Sequence, residues 1–216
     1  VINGGGAISD AFCRLPFDKM IFTGSTTVGK TIMAAAAENL VPVILELGGK
    51  SPAIIHPSMS LKDAAERIAA GKLWNAGQTC VAPDYVFLPR GSTEEFVKQM
   101  RHFATHMYPT LRDNPDYTSI INDKQYTRVQ RYLDDAREQG AQIVEINPKN
   151  ELLEDVYKIA PTLVTGVTSF MQIMQNEIFG PVLPILEYDQ IDEVIEFINQ
   201  RPRPLALYYF DYDSAR

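Results

Sequence analysis

Hydrophobic and polar positions along this chain follow two periods in alternation. Short apolar, β-favouring runs are each succeeded by longer stretches in which apolar residues recur every three or four positions. Residues 19–23 read as a strand, Gly24 and Gly29 as a turn, and residues 30–37 as an alanine-rich helix. Residues 42–47 read as a buried strand broken by Gly48 and Gly49, which completes a βαβ-like unit and favours a parallel sheet. A short strand follows at 53–56. Ser60 with Asp63 matches a capping box, and Leu61, Ala64, Ala65, Ile68 and Leu73 mark one helical face that leads to Trp74.

The alternation continues beyond it. Residues 85–88 read as a strand, and Ser92 with Glu95 as the cap of a helix whose Phe96, Val97, Met100, Phe103, Ala104 and Met107 share a face. Asn122 with Gln125 opens a helix that carries Val129, Tyr132, Leu133 and Ala136 and stops at Gly140, before a strand over 141–146. Residues 147–155 are polar and read as a surface loop. Strands are expected at 162–164 and 182–188, a helix over Ile191, Val194, Ile195 and Ile198, and a last strand over 205–210. The class is α/β.

Composition narrows the function. At 216 residues, 45% hydrophobic and 22% charged, the chain has the make-up of a soluble globular protein able to bury a sizeable core. Its net charge of -7, with 20 scattered basic residues, argues against a nucleic-acid surface, which needs clustered Lys and Arg. No apolar run approaches the roughly 18 residues of a membrane span, so a cytoplasmic protein is expected. Cys13 and Cys80 are the only cysteines, too few for a disulfide scaffold, and no CxxC pair or histidine spacing suggests a metal site. A chain that starts at Val1 and stops soon after a strand-like run reads as a piece cut at both ends.

Three places could carry chemistry. Residues 24–31 satisfy the phosphate-loop pattern GxxxxGK[ST] between a strand and a helix, which would suit a nucleoside triphosphatase. No strand ending in a magnesium-binding Asp is evident downstream. The same stretch also reads as a glycine-permitted turn, or as a helix N-terminus whose free amides suit any phosphate, including a dinucleotide pyrophosphate. Cys80 follows Asn75-Ala76-Gly77-Gln78-Thr79, a polar stretch where a substrate could reach a thiol, although a lone cysteine is more often a small buried hydrophobe. Cys13, beside Phe12 and Leu15, suits the buried role. Glu46 interrupts the apolar run 43–47; burial would raise its pKa and favour a base, whereas an edge-strand Glu facing water would look the same.

Taken together, these segments resemble the aldehyde dehydrogenase superfamily. Phe22-Thr23-Gly24-Ser25, Leu45-Glu46-Leu47-Gly48-Gly49-Lys50-Ser51-Pro52, Gly77-Gln78-Thr79-Cys80 and Glu177-Ile178-Phe179-Gly180-Pro181-Val182 match its signatures in family order and cover essentially the whole chain. Residues 80–85 and 204–208 look most like the class 3 and coniferyl aldehyde dehydrogenase branch, which acts on aromatic and long aliphatic aldehydes.

The resemblance implies an NAD-dependent oxidation of an aldehyde to an acid, with NADP as the alternative cofactor. In it Cys80 is the nucleophile and Glu46 the base that activates water against a thioester. Gly24 and Ser25 would lie near the pyrophosphate and nicotinamide, Glu177 on ribose hydroxyls, and Phe179 by the nicotinamide ribose; otherwise they are a turn, a surface acid and a core aromatic. Residues 1–47 would be the last βαβ part of a Rossmann-like nucleotide-binding domain. Residues 48–216 would be a catalytic domain, truncated at its end, with a parallel-rich sheet flanked by helices. The family's second oxyanion donor, an asparagine, lies upstream of this chain, so the piece is expected to be inactive alone. The full protein would be a homodimer or homotetramer. A non-catalytic association domain is the rival reading.

Overall fold

The structure, a computed structural model, describes residues 1–213 and 215. Ser214 and Arg216, at the end of the expected 48–216 domain, lie outside the described residues. The chain separates into two compact units, Val1–Gly48 and Gly49–Arg216.

The first unit runs α1 (Gly6–Cys13), β1 (Met20–Gly24), α2 (Thr26–Ala37) and β2 (Val43–Leu47). Strands β1 and β2 pair in parallel, with Thr23 opposite Glu46 and Gly24 opposite Leu47. A core of Cys13, Met20, Ile32, Ala35, Ala36 and Val41 holds the unit together. Helix α2 begins at Thr26, four residues earlier than the alanine run suggests, because Ser25 is extended and its hydroxyl accepts from the Val28 N–H at 3.4 Å. Strand β2 corrects the expectation of a buried run. Its residues alternate between half-buried and exposed, since α2 covers only one side of a two-stranded sheet. Helix α1 left little trace in the sequence: Gly5 offers no capping side chain and Cys13 is its one buried residue.

The second unit contains β3 (Pro52–Ile55), α3 (Leu61–Leu73), β4 (Tyr85–Pro89), α4 (Thr93–Met107), α5 (Asp123–Glu138), β5 (Gln142–Glu145), β6 (Thr162–Thr165), α6 (Gln172–Gln175), β7 (Val182–Tyr188), α7 (Ile191–Asn199) and β8 (Tyr208–Phe210). Among the described residues the sheet order is β5-β6-β7-β4-β3-β8, parallel except for the antiparallel edge strand β5. Helices lie on both faces. Val86 and Leu88 join α3 and α4 in one core, through Ile68, Leu73, Phe96 and Met100. Tyr85 and Phe87, pointing the other way, join α5 and α7 through Val129, Leu133 and Val194. Fully burying each large apolar side chain contributes about 1.5–3 kcal/mol, which is how a mostly polar helix such as α5 is held.

Two expected caps form as read: Ser60 accepts from Asp63 N–H at 3.3 Å and Asn122 from Gln125 N–H at 3.0 Å. The expected Ser92 cap does not. Ser92 already has helical backbone angles, and its side chain makes no capping bond. Glu187 of β7 instead accepts from Gly91 N–H and the Thr93 hydroxyl, at 3.1 and 2.7 Å. The expected 205–210 strand shrinks to Tyr208–Phe210, where β3 offers parallel partners. The surface loop expected at 147–155 includes a short 3-10 turn, Glu154–Val156, and buries Leu153.

Candidate active site

Helix α3 ends at Leu73, and the chain then makes a tight turn with backbone that few residues tolerate. Asn75, Ala76 and Gly77 have φ values of 51°, 50° and 73°, all in the left-handed region. Glycine is required at the third: a Cβ on Gly77 would collide with the Gly180 carbonyl. This close approach sets the stretch leading to Cys80 against the segment that carries Glu177 and Phe179. Cys80 itself is exposed, in a turn closed by Ala82 N–H to the Thr79 carbonyl at 3.2 Å, whereas Cys13 is buried. Of the two readings left open for Cys80, the exposed one holds.

The segment from Ile173 to Phe179 is anchored by charges that sequence reasoning did not single out. Lys50, just before β3, pairs with Asp84, just before β4; their side chains are only 11% and 4% exposed. Lys50 Nζ also donates to the carbonyls of Ile173 and Asn176, at 2.7 and 3.0 Å. The second oxygen of Asp84 accepts the Ile178 N–H at 3.0 Å. On the far side Arg128 of α5 donates to the Glu177 and Ile178 carbonyls, at 3.0 and 2.7 Å. Phe179 then sits at φ 48°, a strained angle for an aromatic residue that persists because its neighbours are pinned. The residue is 37% exposed, so it is no core aromatic.

Glu177 is half-buried and is no plain surface acid. Burial raises its carboxyl pKa above the usual value, a hydrogen bond from the Gly49 backbone opposes this, and the Asp84 charge adds to the rise. Beside these groups lies Lys72, 1% exposed, whose Nζ has no hydrogen-bond partner among the described residues. Burial pulls its pKa down to about 8, while Asp84 and Glu177 favour its charged form. Lys72 lies on α3 amid apolar neighbours in sequence, and only its depth in the fold sets it apart.

The remaining candidates lie in the first unit. Glu46 is exposed on β2, as an edge-strand acid facing water would be. Gly24 ends β1 and Ser25 caps α2, and both are exposed. The phosphate-loop match is not a loop. Thr26 to Thr31 are helical, and the Thr31 hydroxyl bonds back to the Thr27 carbonyl at 3.3 Å, so the stretch offers none of the backbone cradle a triphosphate needs.

The family model described as "Aldehyde dehydrogenase family" matches residues 1–215 of this chain. The chain belongs to the aldehyde dehydrogenase family. It is 53% identical to a probable coniferyl aldehyde dehydrogenase of Pseudomonas aeruginosa, over 100% of this chain and 44% of that protein. The chain thus spans less than half the length of that relative. Among solved structures, a substrate-bound Staphylococcus aureus AldH superposes with a TM-score of 0.91 at 45% identity, covering 99% of this chain and 46% of that one. A Staphylococcus aureus betaine aldehyde dehydrogenase in complex with NAD+ superposes with a TM-score of 0.88 at 28% identity, covering 99% and 44%. The α/β fold of these aldehyde dehydrogenases, with its mixed sheet between helices, is therefore the fold of this chain. Among its described residues no helix is long and apolar enough to cross a membrane.

Proposed function

We propose that the protein to which this chain belongs oxidises an aldehyde to its carboxylic acid with NAD or NADP, using Cys80 as nucleophile. The observation that carries this reading is the exposed Cys80 turn packed, through Gly77 and Gly180, against the segment of Glu177 and Phe179. Attack by the Cys80 thiolate on the carbonyl carbon forms a thiohemiacetal, with the Cys80 backbone N–H facing the developing oxyanion. When bound, the nicotinamide supplies the hydride acceptor that turns this adduct into a thioester. Glu46 then takes a proton from the water that cleaves the thioester. An exposed carboxylate can hold and orient water without prior desolvation.

The residues present suit a dinucleotide. The first turn of α2 carries no acidic side chain, so its free amides and dipole favour phosphate beside Gly24 and Ser25. Glu177, half-buried and accepting from a backbone amide, is a fixed acceptor for ribose hydroxyls, and the exposed Phe179 ring can pack on the nicotinamide ribose. On this reading residues 1–47 are the end of a nucleotide-binding domain and 48–216 the thiol-bearing catalytic domain. The name of the Pseudomonas relative points to an aromatic aldehyde such as coniferyl aldehyde. Long aliphatic aldehydes as the next substrates, and a cytoplasmic homodimer or homotetramer as the working form, complete this reading.

The test is to follow reduced nicotinamide when the full-length protein meets coniferyl aldehyde with NAD or NADP. Wild-type protein reduces the cofactor; Cys80→Ala does not. Near-normal oxidation by the Cys80 variant would refute the assignment. Glu46→Gln should still give a first-turnover burst and then stall as the thioester accumulates.

A further inference from the structure

The turn that carries Cys80 has two backbone hydrogen bonds of its own, Gln78 N–H to the Asn75 carbonyl at 3.0 Å and Ala82 N–H to the Thr79 carbonyl at 3.2 Å, and side chains tie it to the rest of the unit. Asn75, Ala76 and Gly77 are left-handed in succession, a conformation that L-residues adopt only when their surroundings enforce it. The side-chain anchor upstream is Gln78. Its Oε1 accepts the Ile121 N–H at 3.0 Å, and its Nε2 donates to the Ser119 carbonyl at 3.0 Å and the Asn75 carbonyl at 3.2 Å. Asn75 returns a bond from Nδ2 to the Gln78 carbonyl at 3.1 Å. One amide thus closes the left-handed stretch and ties it to residues 119–121, more than forty positions away.

Downstream the anchor comes from β8. Tyr208 donates its hydroxyl to the carbonyl of Val81, the residue after Cys80, at 2.6 Å. Burial raises the pKa of this phenol and the neighbouring Cys80 charge raises it further, so it stays protonated as a donor at neutral pH and lies near the thiol. Val81 is a corner of the Thr79–Ala82 turn.

We propose that Gln78 and Tyr208 are positioning residues for Cys80, anchoring the chain two residues before it and one residue after it so that thiol and backbone N–H meet the aldehyde carbonyl together. The inference rests on the reading of Cys80 as the nucleophile. Covalent attack needs the sulfur on line with the carbonyl carbon and the Cys80 amide aimed at its oxygen, and the short stretch that sets both directions is bracketed by the anchors at Gln78 and at the Val81 carbonyl. Neither residue lies in the Glu177–Phe179 segment, so their loss should spare cofactor binding.

The experiment compares full-length wild-type protein with Gln78→Ala, Gln78→Met and Tyr208→Phe, with Cys80→Ala as control. Three quantities are read: the single-turnover burst of reduced nicotinamide with coniferyl aldehyde, the Kd for NAD, and the rate of Cys80 alkylation by iodoacetamide. The burst rate should fall at least about tenfold in both Gln78 variants and about threefold to tenfold in Tyr208→Phe, in line with the cost of small misplacements at a reacting centre. Kd for NAD and alkylation should stay within about twofold, because the thiol remains exposed and the cofactor segment intact. Gln78→Met, which keeps side-chain length without the hydrogen bonds, separates positioning from loss of packing. Bursts that stay near wild type in all three variants while Cys80→Ala shows none would overturn the positioning role and leave the nucleophile standing. Kd for NAD weakening in parallel with the burst would also overturn it, by revealing a general structural defect. A burst that survives Cys80→Ala would remove the nucleophile reading itself.

Discussion

The two units of this chain hold their candidate residues in opposite ways. In Val1–Gly48 they sit on open, regular backbone: Glu46 is exposed on a two-stranded sheet, and Ser25 merely caps a helix. In Gly49–Arg216 they sit on strained backbone that buried groups enforce. Phe179 has φ 48° beside a Lys50–Asp84 pair, and Cys80 follows a left-handed stretch closed by Gln78. In the first unit a side chain can change without disturbing its support. In the second, side chain and support are one network, so removing a buried support such as Asp84 should cost stability as well as function, whereas in the first unit the two should fail separately.

The largest expected effect that would test this contrast comes from Asp84→Ala. It leaves Lys50 charged and buried without its partner and releases the Ile178 amide, so denaturant unfolding should show a loss of about 3–5 kcal/mol. A loss below about 1 kcal/mol would mean that the pair is not what pins the segment. Of similar size but opposite sign is Lys72→Met. The folded pKa of Lys72, about 8, lies below its ordinary value of 10.5, so below pH 8 both folded and unfolded states carry the proton and the full desolvation cost opposes folding. Between pH 8 and 10.5 the unfolded state binds more protons than the folded one, and wild-type stability rises relative to the variant. Lys72→Met should therefore stabilise by up to about 3 kcal/mol at pH 7, an advantage that shrinks towards pH 10. A pH-independent difference would show that Lys72 is not the buried cation it looks to be.

Smaller effects belong to the first unit. Ser25→Ala should cost about 1 kcal/mol through loss of the α2 cap. Glu46→Gln should change stability by less than about 0.5 kcal/mol even as it slows thioester hydrolysis. A Glu46 variant that loses several kcal/mol would place that residue in a buried network after all and erase the contrast between the units.

Much of the architecture was legible because local pattern and final fold agree. Strand β7 lies where the apolar run over 182–188 predicted it, and the Ser60 and Asn122 caps form because their side chains reach amides only three residues away. The misreadings occur where a distant partner overrides the local signal. Glu187 displaces Ser92 as the anchor of α4, and β3 decides how much of 205–210 becomes strand. Burial of β2 was misjudged, and that of Glu46 left open, because an apolar run looks the same whether one face of its sheet is covered or two.

By itself the sequence determined the α/β alternation, the family and the motif residues, since each depends on which side chains stand a few positions apart. Only the tertiary structure decided that Cys80 is exposed while Cys13 is buried, and that Lys50 and Asp84 meet. It alone brought Gln78 to residues 119–121 and Tyr208 to Val81. These pairings depend on which strands lie side by side and on the angle at which a loop leaves its helix. Such geometry is settled by packing over the whole unit, and no short stretch of residues encodes it.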